Sequence, residues 1–378
     1  MILDEAREEI DKIDSQIMKL FSQRMDAVKI VGEIKKSQGL SVLQPERENQ
    51  LLERIRENAR EEYVYYSVAL YKFLMDLSRT AQREIYLPDN SFTSTVLRRS
   101  NASPLKIEHP NIISQGIPGA FSGSAAAVLY PHGNFTFADS WEDVMVAIDE
   151  GSADYGILPL ENSLAGSVTD VFDLLLKYQF YIVKATSIPV DHCLLGVRGA
   201  NLSGISTVLS HPHALLQCEN FFHDHPHIRK VPYMNTAMAA NKVAKDGRLH
   251  QAAIASRECA HIYGLDILSK SIQMNDMNKT RFISVAKDPE FPDNMNKVSL
   301  AFSLPHVTGS LYRILARFAL NGLNLTKIES RPNPNKNFEY FFYLDFSGSV
   351  KSPATLRLLA SLSEELSDFH FLGNYHEN

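Results

Sequence analysis

Close to the start of the chain, apolar residues recur at alternating steps of three and four from Ile10 to Val31. Because the segment around them carries glycine only at positions 32 and 39, this spacing predicts one helix from about Leu3 to Gly39. At 1.5 Å per residue such a helix is roughly 50 Å long. A helical segment of roughly 90 residues cannot cover a rod of that length alone. We therefore expect a homodimer or homotetramer in which long helices of different copies pack together, so that Arg7 of one copy can reach a site made mainly by another.

Three cations lie in phase with this apolar stripe. Arg24 fills a gap in it, Arg7 extends it backwards and Lys35 extends it forwards. Burying an unpaired charge is costly, and one such arginine alone is most simply explained by a long side chain that reaches past the core to water. Three cations in phase favour a site for a small polyanion, because planar guanidinium groups match carboxylates.

The rest of this segment continues in helices that carry further polar residues. A proline at position 45 predicts the start of a second helix with a charged first turn. A third helix repeats leucine from Leu70 to Leu77 and carries two polar side chains four residues apart on a neighbouring face. The polar residues along the three helices are, in order, Arg7, Arg24, Lys35, Arg47, Glu48, Ser78 and Gln82. This series resembles the all-helical chorismate mutases.

The resemblance implies an isomerase that turns chorismate into prephenate by a pericyclic rearrangement. Such an enzyme supplies geometry and electrostatics and needs no cofactor or metal. The resemblance assigns the two carboxylates of chorismate to Arg7, Arg24 and Arg47. It puts Lys35 and Gln82 at the ether bond that breaks and Glu48 at the ring hydroxyl. Gln44 and Ser78 make further contacts with the substrate. Gln44 departs from the family, where an acidic residue is common at this helix start.

Two joints divide the chain into three segments. Residues 1–90 are the all-helical segment, and a stretch rich in proline, serine and asparagine at 88–104 predicts an irregular linker, whose bounds we place at 91–110. From 111 to 286, short β-rich runs alternate with helical patterns, which is typical of an α/β domain with a largely parallel sheet. After a second joint, residues 297–378 follow the order strand, helix, strand, strand, helix, strand, which is typical of an α+β ferredoxin-like domain.

Several predicted strands of the middle segment end in small polar residues and are followed by a helix. Helix N-termini attract anions, and ligands of open α/β sheets bind beyond the carboxyl ends of the strands, although one such residue alone is better explained as an N-cap. The motifs are GxxGxxS at 116–122, ENS at 161–163, SHPxAxxQC at 210–218 and Thr280-Arg281-Phe282. Together they resemble the prephenate dehydratases, whose two-lobed α/β fold is similar to that of type II periplasmic binding proteins.

This second resemblance implies a lyase that removes the ring hydroxyl and the ring carboxylate of prephenate together and releases phenylpyruvate. The enzyme must supply a proton or a strong hydrogen bond to the departing hydroxide. The resemblance puts Thr280 at the leaving hydroxyl, as a hydrogen-bond donor or proton relay, with Glu161 as a possible proton source. Arg281 is either an anion anchor for the substrate or part of a structural ion pair. The remaining substrate-binding residues are Asn162, Ser163, Ser210 and Gln217.

The C-terminal segment carries two motifs, GSLYRIL at 309–315 and NLTKIESRP at 324–332. They resemble the ACT regulatory domain of dehydratases that phenylalanine inhibits. On pattern alone, the second motif is better explained as a capped strand end with a surface ion pair. The resemblance implies an L-phenylalanine site between paired domains, built from Gly309, Ser310, Leu311, Asn324, Glu329, Ser330 and Arg331.

Charge and composition exclude other classes of protein. With 38 basic and 44 acidic residues the formal charge is −6, which offers no general attraction for nucleic acid or anionic lipid. No apolar run approaches the ~20 residues of a membrane-spanning helix, and the acidic start of the chain argues against export. The scattered Cys193, Cys218 and Cys259 are typical of core residues in a reducing cytosol. The histidines of HDHPH at 223–227 alternate in a polar turn, which disfavours a metal site.

These observations predict a bifunctional cytosolic enzyme of phenylalanine biosynthesis under feedback by L-phenylalanine. In one alternative, the chain is only a dehydratase and the helical segment serves dimerisation and regulation. In another, the chain is a non-catalytic amino-acid sensor with a solute-binding core. Arogenate, which carries an amine in place of the keto group of prephenate, is a competing substrate for the dehydratase.

Overall fold

The computed structural model describes residues 3–86, 91–100, 107–275, 277–332, 340–366 and 368–377. The predicted helices of the N-terminal segment are confirmed. They are α1 (Leu3–Ser37), α2 (Pro45–Asn58) and α3 (Val64–Glu84), with one 3-10 turn at Glu61–Tyr63 before α3. Gly39 has φ +65°, the left-handed conformation that commonly ends a helix. A side chain at Gly32 would clash with Ile85 and Gln82, so this glycine lets α1 and α3 pack closely.

A helix occupies part of the predicted linker. α4 spans Ser91–Ser100, where the sequence pattern predicted irregular chain. Phe92 and Val96, four residues apart, pack into the core of the C-terminal segment, where Phe92 meets Phe369 and Phe371 edge to face with ring centroids 5.8 and 5.5 Å apart. Two apolar positions are too few to reveal a helical period, so contact with the C-terminal segment decides the conformation. Residues 101–106 of the predicted linker lie outside the described residues.

The middle segment folds into two lobes. The first lobe begins with β1 (Asn111–Gln115), α5 (Phe121–Leu129), β2 (Asn134–Ala138), α6 (Trp141–Asp149), β3 (Tyr155–Asn162), β4 (Gly166–Ser167), α7 (Thr169–Tyr178) and β5 (Tyr181–Pro189). The chain then crosses into the second lobe. This lobe contains β6 (Cys193–Gly196), β7 (Thr207–Ser210), α8 (Pro212–Gln217), α9 (Glu219–Asp224), β8 (Arg229–Pro232), α10 (Thr236–Asp246), β9 (Gln251–Ala255), α11 (Arg257–Tyr263) and β10 (Asp266–Ser269). The chain returns to the first lobe as β11 (Lys279–Ala286).

Each lobe combines parallel and antiparallel strands. In the first lobe β2, β1 and β3 are parallel, and β11 runs antiparallel between β3 and β5. In the second lobe β8, β7 and β9 are parallel, while β6 and β10 run antiparallel to their neighbours. The predicted largely parallel sheet is therefore only partly present, because the two crossings between the lobes reverse the direction of the chain.

The C-terminal segment has the predicted order of elements. They are β12 (Lys297–Leu304), α12 (Ser310–Leu320), β13 (Leu325–Pro332), β14 (Tyr340–Ser347), α13 (Pro353–Glu365) and β15 (His370–Glu377). The four strands form an antiparallel sheet in the order β13-β14-β12-β15. β15 also pairs in parallel with β5 through His376 and Glu377, so the C-terminal sheet and that of the first lobe are continuous.

The C-terminal segment also shares apolar and charged contacts with the other two. Tyr343 and Tyr375 belong to the same buried cluster as Leu158 and Ile283 of the first lobe. On the helical side, Glu365 of α13 forms ion pairs with Arg83 of α3 at 2.5 Å and with Arg317 of α12 at 2.6 Å. The C-terminal segment thus contacts both the helical segment and the first lobe directly.

Candidate active sites

The three N-terminal helices enclose a cavity of about 340 Å³. Apolar side chains of α1 and α3 form part of its wall, and polar side chains converge on it from all three helices. The predicted residues that line it are Arg24, Lys35, Gln44, Arg47, Glu48, Ser78 and Gln82. Side chains as far apart in the sequence as Arg24 and Gln82 therefore meet in one place, as a shared ligand would require.

The cations of this cavity are fixed by neighbouring oxygen atoms. The Arg24 Nη1 atom donates to the Ser78 hydroxyl at 2.6 Å and to the Leu74 carbonyl oxygen at 3.3 Å. The Lys35 Nζ atom donates to the Val42 carbonyl oxygen at 2.8 Å. Burial lowers the pKa of Lys35 below its usual value, and the nearby Glu48 carboxylate opposes part of this effect.

Arg79 lines the same cavity and was not predicted from the sequence. It forms ion pairs with Glu48 and with Asp76, and so holds the carboxylate of Glu48 at the cavity wall. The sequence did not mark Arg79 as a site residue, because neither Arg79 nor Arg83 interrupts the apolar stripe of α3.

Gln82 is buried, and its Oε1 atom has no hydrogen-bond partner among the described residues. A buried amide oxygen without a partner is costly.

Arg7 does not reach this cavity within one chain. It is exposed and pairs with Asp4 at 3.5 Å. The apolar stripe beside it is exposed as well, with 55% of Ile10, 54% of Ile17 and 63% of Leu20 accessible. Arg7 therefore lies away from the cavity of its own copy, and its reach into the cavity of a second copy stays a prediction.

A second cavity, of about 320 Å³, lies in the cleft between the two lobes. The first lobe contributes the carboxyl ends of β1 and β3 and the start of β11. The second lobe contributes α8, from His211 just before it to Gln217 at its end, and the start of α10. The residues that carry polar groups to the cavity wall are Gln115, Ser122, Asn162, His192, His211, His213, Gln217, Asn235, Thr236, Asn278 and Thr280.

Strand register decides which predicted residues enter this cleft. In the ladder between β3 and β11, Thr280 is opposite Asn162, and Arg281 is opposite Glu161. Successive side chains of a strand point to opposite faces of the sheet. Thr280 and Asn162 therefore share the cleft side, while Arg281 and Glu161 face the C-terminal segment.

The Asn162 side chain connects this pair to its surroundings. Its Oδ1 atom accepts hydrogen bonds from the backbone N–H groups of Leu164 and Ala165 at 3.0 and 2.9 Å. Its Nδ2 atom donates to the Thr280 hydroxyl at 2.9 Å and to the Asn278 side-chain oxygen at 2.8 Å. The hydroxyl of Thr280 accepts this bond and donates to no acceptor among the described residues, so its proton can be donated into the cleft.

Glu161 and Arg281 belong to an ion-pair network outside the cleft. Arg281 is buried and pairs with Asp345 at 2.6 Å, with Glu161 at 3.1 Å and with Glu377. Glu161 also accepts a hydrogen bond from Lys327. Burial would raise the pKa of Glu161, but the hydrogen bond and charge of Lys327, together with the charge of Arg281, hold it below its usual value. The prediction of Glu161 as a proton source is wrong for this arrangement, and Arg281 is the structural ion pair.

Two predicted serines do not line the cleft either. Ser210, the last residue of β7, is fully buried and donates to the Ile254 carbonyl oxygen at 2.6 Å. Ser163 closes the loop after β3, because its hydroxyl donates to the Met277 carbonyl oxygen at 3.2 Å and accepts from the Lys279 N–H group at 3.0 Å. Both side chains make structural hydrogen bonds in place of the predicted direct contacts with the substrate.

Two residues at the crossings between the lobes were missed by sequence reasoning. His192 lies between β5 and β6, and Asn278 lies between β10 and β11. Both contact the Gln217 side-chain oxygen, at 2.9 Å from His192 Nε2 and 3.2 Å from Asn278 Nδ2. Neither belongs to a motif, and a histidine before a buried strand is more often a core residue. Only the return of the chain through the second crossing brings them together.

The predicted effector residues lie in two places of the C-terminal segment. Ser310 and Leu311 line a cavity of about 300 Å³, together with Leu304 and Phe342 among others. Gly309, just before them, has φ +81° and begins α12. The second group lies at Asn324 and along the edge strand β13, at Glu329, Ser330 and Arg331.

Two residues of this edge strand contact the first lobe of the middle segment. The Glu329 carboxylate accepts a hydrogen bond from Ser167 at 2.8 Å, and Arg331 lies 3.5 Å from the Asp173 carboxylate. Within one copy these contacts link β13 to the first lobe. The two predicted groups of effector residues therefore do not meet in a single cavity of one copy.

Other candidate features carry structural roles. The ring of His225 stacks on Phe221 with centroids 4.5 Å apart, and within the described ranges no cluster of histidine, cysteine, aspartate or glutamate is arranged to hold a metal ion. Cys193, Cys218 and Cys259 are free and buried. Across the part of the chain that the structure describes, no helix is both long and apolar enough to cross a membrane.

Each cavity lies in a part of the chain that matches a known protein family. Residues 112–290 match the family described as prephenate dehydratase, and residues 6–83 match the one described as chorismate mutase type II. The chain is 37% identical over 314 residues to arogenate dehydratase/prephenate dehydratase 1, chloroplastic, of Arabidopsis thaliana, and the alignment covers 79% of this chain and 79% of the relative.

Solved structures agree on the fold. One is the prephenate dehydratase of Arthrobacter aurescens in complex with L-Phe, with a TM-score of 0.66 and 29% identity over 70% of this chain and 89% of that one. Another, described as GqqA, a novel type of quorum quenching acylases, has a TM-score of 0.65 and 30% identity over 71% of this chain and 98% of that one. The chain belongs to the prephenate dehydratase family and carries a type II chorismate mutase domain on the same polypeptide, which makes it a bifunctional enzyme of phenylalanine biosynthesis.

Proposed function

We propose that the two cavities act in sequence on one metabolite. The cavity of the helical segment converts chorismate to prephenate, and the cleft between the lobes converts prephenate to phenylpyruvate. The boundaries that we propose are 1–90 for the mutase domain, 91–110 for the linker, 111–286 for the dehydratase domain and 297–378 for an ACT regulatory domain. The matched residues and the order of elements support these boundaries.

In the mutase cavity, Arg24 and Arg47 bind the carboxylates of chorismate. Lys35 and Gln82 contact the ether oxygen as its bond to the ring breaks, and Glu48 binds the ring hydroxyl. Gln82 makes this contact through its side-chain N–H group, because an ether oxygen only accepts, and the Arg79–Glu48 ion pair supports a fixed carboxylate. Charge that develops on the ether oxygen is stabilised by donors already in place.

A second copy completes this site. Arg7 reaches the mutase cavity of its partner when the exposed stripes of two α1 helices pack together. Contiguous exposed apolar surface on a long helix supports such an interface. We propose a homodimer as the smallest active unit of the mutase.

In the dehydratase cleft, the ring carboxylate of prephenate leaves as carbon dioxide. The electrons of its bond to the ring complete the aromatic system, and the ring hydroxyl departs as hydroxide, which takes up a proton from solvent to become water. Thr280 donates its hydroxyl proton in a hydrogen bond to the departing oxygen, Asn162 holds Thr280 in place, and Gln217 contacts the carboxylate or keto group that remains. The observation that carries this assignment is the Asn162–Thr280 hydrogen bond in the cleft, which leaves the threonine proton free.

The experiment that tests this assignment compares Thr280→Val with Thr280→Ser. Valine keeps the branched shape and removes the hydroxyl, so we expect kcat/KM for prephenate to fall by about 100-fold or more, whereas serine keeps a donor and retains most of the activity. Mutase activity of the same preparation is the control for folding. A valine variant as active as the parent would contradict the role of Thr280.

L-Phenylalanine is the feedback effector in this proposal, and it binds to the ACT domain. The complex of the Arthrobacter aurescens relative with L-Phe supports this ligand. The effect on the dehydratase travels through β13, because Lys327 bonds to Glu161 and Glu329 accepts from Ser167. Glu161 immediately precedes Asn162, so a shift of β13 that moves the β3 end changes the cleft. Inhibition requires that phenylalanine bind more tightly to the less competent arrangement.

Arogenate is a second candidate substrate for the same cleft. The Arabidopsis thaliana relative is named for both arogenate and prephenate. The relative kcat/KM for the two compounds decides between them, and we expect prephenate to be preferred because the mutase supplies it on the same chain.

A cytosolic location completes the proposal, and the free, buried cysteines support a reducing compartment.

A further inference from the structure

We infer that His192 is a positioning residue of the dehydratase, which fixes the side-chain amide of Gln217 so that its N–H groups face the substrate. This inference rests on the proposed role of the cleft. It concerns a hydrogen-bond chain that runs from the first lobe, through both crossings between the lobes, into the second lobe. The direction of every hydrogen bond in this chain follows from one fixed end.

The fixed end is Asn162. Backbone N–H groups can only donate, so the atom of Asn162 that contacts the N–H groups of Leu164 and Ala165 is the side-chain oxygen. The nitrogen of the same amide therefore faces the other way. It contacts the Lys279 carbonyl oxygen at 3.2 Å, which can only accept. The orientation of the Asn162 amide is thus set from both sides.

The next link is Asn278. Because Asn162 donates to it at 2.8 Å, the accepting atom of Asn278 is its side-chain oxygen. The Asn278 nitrogen then faces Gln217 at 3.2 Å, and the atom that it contacts must be the Gln217 oxygen. This leaves the Gln217 nitrogen on the side of the cavity, where no protein partner for it is found within the described residues.

His192 completes the arrangement from the first crossing. Its Nε2 atom lies 2.9 Å from the same Gln217 oxygen, so Nε2 carries the proton and donates. The other ring nitrogen, Nδ1, is buried and has no partner among the described residues, which favours the neutral ring. Burial also lowers the pKa of His192, and the contacts with Gln217 and Asp191 offset only part of that effect. Two donors on one oxygen hold the amide against rotation.

The consequence is a cleft that presents donors to its ligand. Both the Thr280 hydroxyl and the Gln217 amide nitrogen are left with free protons, and a dianionic substrate needs such donors. If the Gln217 amide turned over, its nitrogen would meet two other donors, and its oxygen would face the substrate anion. His192 therefore acts on the substrate through Gln217, and it transfers no proton itself.

A double-mutant cycle tests this inference. His192→Leu removes the donor at similar volume, Gln217→Ala removes the group it positions, and the double variant combines them. For His192→Leu we expect kcat/KM for prephenate to fall by about 10- to 100-fold, mainly through KM. The double variant should be no more than about twofold worse than Gln217→Ala alone, because His192 has nothing left to orient.

A rescue variant separates positioning from proton transfer. The side-chain N–H group of His192→Gln can donate to Gln217 but cannot act as an acid, so we expect it to recover activity to within about threefold of the parent. His192→Met is measured alongside as a second donor-free variant, in case leucine disturbs folding. Mutase activity in each preparation reports whether the chain is folded.

Two outcomes would overturn the inference. Losses that multiply in the double variant would mean that His192 acts independently of Gln217. A His192→Gln variant as poor as His192→Leu would mean that the ring itself is needed, for example as an acid. A parent protein without dehydratase activity would instead overturn the proposed function, so the two failures are distinguishable.

Discussion

Lys35 shows how one residue combines fold and chemistry. It lies in phase with the apolar stripe of α1 and donates to the Val42 carbonyl oxygen, while its ammonium group lines the mutase cavity. Partial burial lowers its pKa, which makes the charged form easier to lose than in an ordinary lysine. The charge is needed in the proposed mechanism, because it stabilises the ether oxygen.

The mutase should therefore lose activity as the pH rises through the lowered pKa of Lys35, since the charged form is present below that pKa and absent above it. We expect an alkaline limb in kcat/KM for chorismate that begins below the ordinary lysine value of 10.5. Lys35→Arg should move this limb upwards, because a guanidinium stays charged. An unchanged limb in the arginine variant would assign the titration to another group.

Single residues were predictable where a charge interrupts an apolar pattern. Arg24 and Lys35 stand out in the stripe of α1, and both line the mutase cavity. Arg79, His192 and Asn278 interrupt no pattern, and their position depends on contacts between distant segments. Glu161 was assigned to the cleft side of the sheet, and the role of Arg281 was left open between a substrate anchor and a structural ion pair, because the motif gives the residues while the register decides which face each one takes.

At the scale of elements, α1 is the helix that the sequence predicts best, yet one copy of the chain does not bury its apolar stripe. Its length and stripe were predicted, and much of the stripe remains exposed in one copy. The opposite case is α4, whose helix depends on burial of Phe92 and Val96 against the C-terminal segment. A local sequence pattern predicts a helix or strand only when enough of its apolar residues lie on one buried face.

Acidic residues on the stripe should separate the two copies. We expect the double variant Ile17→Glu with Leu20→Glu to be monomeric by size-exclusion chromatography with light scattering, because carboxylates replace apolar contacts in the interface. Mutase activity should fall by about 100-fold or more, since Arg7 of the partner no longer reaches the site. Dehydratase activity should persist, because its cleft is built within one chain.

A matched control keeps the added charge and moves it off the stripe. The double variant Gln16→Glu with Gln23→Glu changes two exposed residues of the same helix. It should stay dimeric and active. A monomeric Ile17→Glu, Leu20→Glu variant with full mutase activity would contradict the proposed contribution of Arg7 from a second copy.

At the scale of the whole molecule, neighbouring residues connect the sites to the C-terminal segment. Asn162 and Thr280 face the dehydratase cleft, while Glu161 and Arg281 beside them face Lys327 and Asp345. On the helical side, Gln82 lines the mutase cavity, and the next residue along α3 pairs with Glu365 of α13. The order of domains was predictable from changes in composition and apolar spacing along the sequence, whereas these interfaces depend on tertiary contacts.

The most direct test follows purified protein given chorismate, with prephenate and phenylpyruvate measured over time, with and without L-phenylalanine. We expect prephenate to appear first and phenylpyruvate to follow. Phenylalanine should slow the second step in the parent and do so less in Lys327→Met, which removes the ion pair between β13 and β3 but leaves the cleft unchanged. Chorismate that remains unconverted, or prephenate that accumulates without phenylpyruvate in the absence of phenylalanine, would contradict the account.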